Sequence, residues 1–172
     1  QVQDNGSGGF EDVVMQYNYD IRSNLLYVLD PYGRTAFSHV YDLKPKSGKD
    51  DPGANVLRTE HIDGGIKTAI FNTVGNPVEM RDSKGALLLN GYDNLNRPMH
   101  SWARDLAAEP VTMRQCLLYG DAAGLNNPAA LNLLGKPWKT YDEAGLVTLP
   151  EYDFKGNPLH KERRVLKDSQ IL

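Results

Sequence analysis

The chain is poor in the residues on which most site chemistry depends. It has a single cysteine, Cys116, in 172 residues, so no internal disulfide can form. That cysteine and the four scattered histidines, His39, His61, His100 and His160, show no metal-ligand spacing. No run of about 18 apolar residues occurs, which excludes a transmembrane helix. An excess of one charge is also missing: 19 Lys plus Arg stand against 22 Asp plus Glu, for a net charge of -3. With no basic run or stripe, nucleic acid is not an expected partner. The first residue is Gln1 and no signal-peptide pattern follows, so the chain is expected to be a processed piece or a fragment. At 40% hydrophobic and 24% charged, the composition is that of a folded domain rather than a disordered tail.

What the chain does have is punctuation. Its 16 glycines and 10 prolines fall at short intervals between runs rich in Val, Leu, Tyr and Thr. That pattern predicts many short strands joined by tight turns. Five of the nine tyrosines are followed directly by aspartate, at Tyr19, Tyr41, Tyr92, Tyr141 and Tyr152. Chance pairing in this composition would give about 0.8 such dipeptides.

A longer period lies over the dipeptides. Asn72, Gly75 and Pro77 recur as Asn132, Gly135 and Pro137; Asp82 and Gly85 recur as Asp142 and Gly145; Tyr92, Asp93 and Pro98 recur as Tyr152, Asp153 and Pro158. Each pair is offset by 60 residues. A worn earlier copy runs through Asp20, Asp30 with Gly33, and Tyr41 with Asp42. The unit is Asp/Asn-x-x-Gly-polar, every 10 to 12 residues. Aspartate or asparagine opens a type I turn because its side chain accepts an N–H two residues on. Glycine three residues later takes a left-handed conformation without steric cost. Together they describe a hairpin loop with a glycine bulge, and the preceding tyrosine closes the incoming strand. Turns are expected at 82–85, 93–96, 142–145 and 153–156. Gly85, Gly145 and Gly156 are expected at positive φ as bulge residues. About seven residues remain for each strand, giving roughly a dozen antiparallel strands in an all-β fold.

Two stretches break the rhythm. Residues 44–55 carry Pro45, Gly48, Pro52 and Gly53 and read as a loop. Residues 104–128 form an irregular insertion. Within it Val111 to Tyr119 reads as a strand, and at its end Asn127 to Leu134 reads as a helical turn, with Asn127 as cap and Pro128 at the first helical position. Residues 1–9 hold three glycines and are expected to be a mobile lead into a repeat segment spanning 10–172.

Tandem Tyr-Asp-x-x-Gly-Arg/Asn units resemble those of RHS, or YD-repeat, proteins. The closest likeness is to the RHS region of the B component of bacterial Tc insecticidal toxin complexes. It is carried by residues 133–166, with Tyr152, Asp153, Gly156, Asn157 and Pro158 the most specific motif, and by 75–85 and 92–98. The resemblance implies a long β-sheet that spirals into a hollow shell. In the family that shell holds the toxic C-terminal region of the partner C component, kept unfolded until delivery. Family members also carry a β-propeller and a self-cleaving aspartyl protease region, and neither pattern is found here. Asp30-Pro31 faintly resembles the Asp-Pro of that protease core, but it stands alone inside an ordinary repeat and is given no catalytic role.

Other sharp readings yield to plain ones. The Asp-x-x-Gly loops lack the alternating oxygens and late glutamate of a calcium loop. Asp63, Gly64, Gly65 and Lys67 lack the full phosphate-loop frame and read as a hairpin turn. The four histidines read as strand or edge residues, and Cys116 as an inert buried thiol with only Arg114 as a basic neighbour in sequence. Asn5-Gly6-Ser7 is a chance glycosylation triplet. Trp102 and Trp138 read as packing or shell-lining residues rather than a sugar platform.

The expectation is therefore a non-enzymatic shell segment without cofactor or metal. Its partners would be other shell segments and an encapsulated toxin polypeptide, with self-association through open sheet edges and no membrane insertion. It would be secreted as part of a larger bacterial toxin assembly. The alternative is a secreted or surface YD-repeat module that binds glycans or cell-surface partners.

Overall fold

The computed structural model describes residues 2–4, 10–44, 53–121 and 124–167. The protein is all-β, with no α-helix among the described residues. A small hairpin, β1 (Val2–Asp4) and β2 (Phe10–Asp12), stands apart as its own sheet. The remaining strands form a sheet whose order is the chain order, β3 through β14. The chain divides into two compact units, Gln1–Ala86 and Leu87–Leu172.

In the first unit β3 (Gln16–Tyr19), β4 (Leu25–Leu29), β5 (Thr35–Tyr41), β6 (Val56–His61), β7 (Gly65–Phe71) and β8 (Pro77–Asp82) make an antiparallel meander. Tyr17, Val28, Phe37, His61 and Gly65 lie opposite one another across five strands. Val28, between Tyr17 and Phe37 in that row, is buried. In the second unit β9 (Leu87–Tyr92), β10 (Pro98–Arg104), β11 (Thr112–Tyr119), β12 (Pro137–Asp142), β13 (Gly145–Thr148) and β14 (Glu162–Val165) pair likewise.

The packing is thin. Among the described residues five hydrophobic side chains are buried: Val28, Leu87, Tyr119, Leu133 and Tyr152. Leu133 is fully buried. Its Cβ and carbonyl press against Gly120, where an added Cβ would lie 2.5 Å and 2.7 Å away. Burial of one leucine contributes roughly 2 kcal/mol, so the 120–136 connection is anchored by this one side chain and by backbone bonds. Gly120 N–H donates to the Lys136 carbonyl at 3.0 Å, and Tyr152 N–H donates to the Leu131 carbonyl at 3.1 Å.

The strand expected from Val111 is β11, but the helical turn at Asn127 is not helical. Asn127 has φ of 53°, outside the range of an N-cap, and the bonds that follow are isolated turns: Ala130 N–H to the Asn127 carbonyl, then Leu133 N–H to the Pro128 carbonyl. In the lead segment, residues 2–4 form a strand, while residues 1 and 5–9, with Asn5-Gly6-Ser7, lie outside the described residues. Residues 45–52 of the expected loop also lie outside them.

Gly145 departs from the bulge pattern. Asp142 pairs directly with Gly145, so β12 and β13 are joined by a two-residue loop. Gly145 has φ of 130°, beyond the left-handed helical well. A Cβ there would run into the backbone carbonyl of Arg164 in β14. Glycine is needed for the close approach of a neighbouring strand as much as for its φ. At Gly135, φ is 72° and nothing lies within 4 Å of an added Cβ. Gly135→Ala should therefore cost about 1 kcal/mol, and Gly145→Ala clearly more because β14 must shift. Urea denaturation of the two variants checks this; equal costs would contradict it.

Candidate functional site

The turns carry the most built chemistry in the molecule. At Asp20, the Oδ1 atom accepts the N–H of Arg22 at 2.8 Å and of Asn24 at 2.9 Å. The same pair of acceptances, from the second and fourth residues on, recurs at Asp30, Asn72, Asp82 and Asp93. At Asp153, Oδ1 accepts the Asn157 N–H at 2.8 Å. Backbone bonds close each of these turns: the third residue donates to the Asp/Asn carbonyl, and the Asp/Asn N–H donates to the fourth residue's carbonyl. The third residue is left-handed in every case, at Ser23, Gly33, Gly75, Gly85, Asn96 and Gly156. Glycine is thus replaceable by Ser or Asn at a position of ordinary αL geometry.

The polar residue at the fourth position reads the second carboxylate oxygen. Asn24, Arg34, Arg97 and Asn157 each donate from the side chain to Oδ2 of their aspartate, at 2.7 to 2.9 Å. This is the physical content of the Gly-Arg/Asn step in the repeat. The long 42–55 connection keeps the same chemistry. Asp42 Oδ1 accepts the N–H of Lys44 and of Asn55, and the Asn55 amide donates to Oδ2 at 2.7 Å. It is a repeat turn with an insertion, and Asn55 fills the fourth position.

At several of these loops the bonds favour the ionised carboxylate. The Asn24 N–H keeps Asp20 below the usual carboxylate range, the Asn157 side chain does so for Asp153, and the Arg163 guanidinium for Asp142. At Asp30, Asp42 and Asp93 desolvation pushes upward but is outweighed by the turn's hydrogen bonds, so these also lie low. A carboxyl held low in the folded chain stabilises it at neutral pH, and that contribution is lost only as pH falls below about 4.

Five hairpins then carry one extra residue, six positions after Asp20, Asp30, Asn72, Asp93 or Asn132. Register shifts leave Leu26, Ala36, Val78, Met99 and Trp138 without a cross-strand partner in their own hairpins, as well as Leu57 two positions after Asn55. Such bulges increase local twist. Period-two reading of the sequence cannot place them, because every bulge flips the alternation beyond it.

The tyrosines divide into two kinds. Tyr41 donates its hydroxyl to the Leu25 carbonyl at 2.9 Å, Tyr119 to Pro98 at 3.0 Å and Tyr152 to Pro137 at 2.6 Å. In each case the acceptor is the first residue of a strand, five positions after Asp20, Asp93 or Asn132. A tyrosine thus ties a strand end to the neighbouring turn at the same end of its unit. Arg97 stacks over the Tyr119 ring at 4.0 Å while paired with Asp93 and Asp121, and Lys136 lies 5.0 Å over Tyr152. Tyr119 precedes glycine rather than aspartate, and the dipeptide count missed it. Tyr92 ends β9 opposite Pro98. Tyr141 belongs to the other end, is exposed, and sits before the two-residue loop at Asp142. There Asp142 is held by a bidentate bond from Arg163, 2.8 Å at each oxygen, and Glu143 pairs with Arg114.

The remaining candidates fall into place as packing. His39 Nδ1 lies 3.1 Å from Thr59 Oγ1, and His160 is exposed. Cys116 is half-buried opposite His100 and Tyr141. His100 and Trp102 stack at 5.3 Å, and Lys139 lies 4.0 Å over Trp138. Among the described residues no three His, Cys, Asp or Glu side chains converge on a metal position. The arrangement is a set of mechanical clamps.

Removing one tyrosine hydroxyl leaves a half-buried carbonyl without its donor. Tyr152→Phe and Tyr119→Phe should each cost about 1 kcal/mol, whereas Tyr141→Phe should stay within about 0.5 kcal/mol. Denaturation midpoints compare the three; an equal effect at Tyr141 would contradict the division.

No protein-family model matches the chain. Toxin subunit YenC2 of Yersinia entomophaga is 27% identical over 185 residues, covering 94% of this chain and 18% of YenC2. The TcdB2-TccC3 crystal structure superposes with a TM-score of 0.76 at 22% identity, covering 98% of this chain and 8% of that one. The Photorhabdus luminescens Tc holotoxin pore, carrying a TccC3 variant, gives a TM-score of 0.76 with the same coverage. The chain therefore spans less than a fifth of the curated relative and less than a tenth of the solved chains. In sequence the chain is similar to the toxin subunit YenC2, and in fold to the TcdB2-TccC3 structures.

Proposed function

We propose that this chain is a wall segment of an RHS-type toxin shell that encloses a toxic effector polypeptide and helps to deliver it. The observation that carries the reading is a sheet built of self-sufficient turns with almost no core of its own. Each turn satisfies its own backbone groups, and hairpins can be added indefinitely without a second layer. The five buried hydrophobic side chains are too few for a domain that closes on itself. Among the described residues no strand pairs the outer edge of β3 or of β14. Those edges and the sheet faces are where neighbouring shell segments and cargo would lie. The role is structural rather than enzymatic, with no cofactor, and the assembly is secreted. The toxin-subunit name of the relative and the Tc holotoxin structure support that setting.

The test uses the longer protein that carries this segment, together with its effector. Limited proteolysis should leave the effector intact in the wild-type assembly and degrade it when residues 137–165 are deleted. An effector equally protected in the deletion, or binding of this chain to a glycan array, would favour a surface adhesion module instead. The isolated chain gives a second readout. Open edges recruit further strands, so light scattering at micromolar concentration should show a dimer or larger species. A stable monomer with slow amide exchange in every strand would contradict the wall reading.

A further inference from the structure

One loop of the first unit is built like the aspartate turns but with a different acceptor. His61 ends β6, and its Nδ1 accepts the N–H of Asp63 at 3.0 Å and of Gly64 at 2.9 Å. Backbone amides only donate, so Nδ1 must carry its lone pair and the ring proton sits on Nε2. The ring is held in place by Phe37 across β5, edge-on with centroids 4.3 Å apart, and lies opposite Gly65 of β7. The loop also joins its neighbours. Ile62 N–H donates to the carbonyl of Ala36, the bulge residue of β5, at 3.0 Å, and Ser83 N–H donates to the Ile66 carbonyl at 2.8 Å. The Asp30 turn, the 62–64 loop and the Asp82 turn are thus tied side by side.

We infer that the 62–64 loop is a pH-sensitive clasp, closed while His61 Nδ1 is unprotonated and released when the imidazole takes a second proton. An imidazolium carries N–H on both nitrogens, so a donor would then face two donors at about 3 Å. Imidazole changes charge between about pH 5 and 8. Asp20 and Asp153, held below the usual carboxylate range by bonds from Asn24 and Asn157, keep their charge through that range, and the Asn72 amide does not titrate. The sign follows: the loop is ordered while the ring is neutral and loosens as pH falls and the second proton binds. The titratable residues on the elements around it are Asp63 within the loop, Lys67 of β7, and Arg58 and Glu60 of β6, which pair at 2.7 Å, while Tyr27 of β4 lines the same groove. On the β5 side Phe37 faces the ring, and His39 lies two residues further along. Opening the clasp would remodel an open groove of about 740 Å³ lined by Tyr27, Ser38, Glu60, His61, Ile66 and Ser83. It would also release the Ala36 bulge from Ile62.

Hydrogen exchange read by mass spectrometry tests this, and self-association does not impede it. The measurement compares peptides covering residues 58–68 at pH 7.5 and 5.5, after correction for intrinsic exchange. In the wild type, protection at Asp63 and Gly64 should fall about tenfold at the lower pH, while the 72–76 turn stays unchanged. His61→Asp restores the carboxylate acceptor and should abolish the dependence. His61→Asn, which copies Asn72, should do the same and serves if the aspartate variant folds poorly. Constant protection in the wild type, or the same fall in both variants, would overturn the inference.

Discussion

A single side-chain oxygen that accepts two backbone N–H groups, at the second and fourth residues after it, organises this molecule. Both N–H groups would otherwise face water or nothing at a strand boundary. Once they are satisfied, the third residue is held in the left-handed region and the fourth points its side chain at the remaining carboxylate oxygen. Asn24, Arg34, Arg97 and Asn157 occupy that place. The bulge two residues further on and the tyrosine bond to the residue between them follow in fixed order. Hairpin geometry is therefore decided locally, within about seven residues, before any long-range packing exists.

That locality explains why a sheet can be this thin. A conventional domain stabilises its strands by covering one face with a second layer. Here both units remain single-layered, and Val28, Leu133, Tyr119 and Tyr152 mark small local cores beneath turns rather than a common interior. Tyrosine suits that setting, because its ring covers the turn while its hydroxyl satisfies a neighbouring carbonyl. A sheet made this way can be extended strand by strand, which is what the proposed shell role requires.

Much of this was legible in the residues. The Asp-x-x-Gly spacing located the turns at Asp82, Asp93 and Asp153, and alternating polar and apolar runs located most strands. What was hidden had physical causes. The bulges at Leu26, Leu57 and Met99 are silent, because any apolar residue fits them and each one resets the alternation. Tyr141 and Tyr152 share a dipeptide but stand at opposite ends of their unit, a difference that only strand parity reveals. Asn127 looked like a cap because cap and left-handed turn favour the same residue type. His61 escaped notice as a turn acceptor because the pattern was framed in carboxylates and amides. Asn55 could have been found by asking which residue, after the insertion, restored the fourth-position amide to Asp42.

The most direct measurement of the central claim separates acceptor geometry from charge at one turn. Asp153 accepts from Asn157 with both oxygens, at 2.8 Å each, and among the described residues no arginine pairs with it. Asp153→Asn keeps an acceptor oxygen where Asn72 shows that an amide suffices, whereas Asp153→Ala removes it. Equilibrium unfolding at pH 7 should show a loss of about 1–2 kcal/mol for alanine and less than half of that for asparagine. Equal losses would mean that charge alone holds the turn, and no loss for alanine would mean that the side-chain clamp is not what organises the sheet.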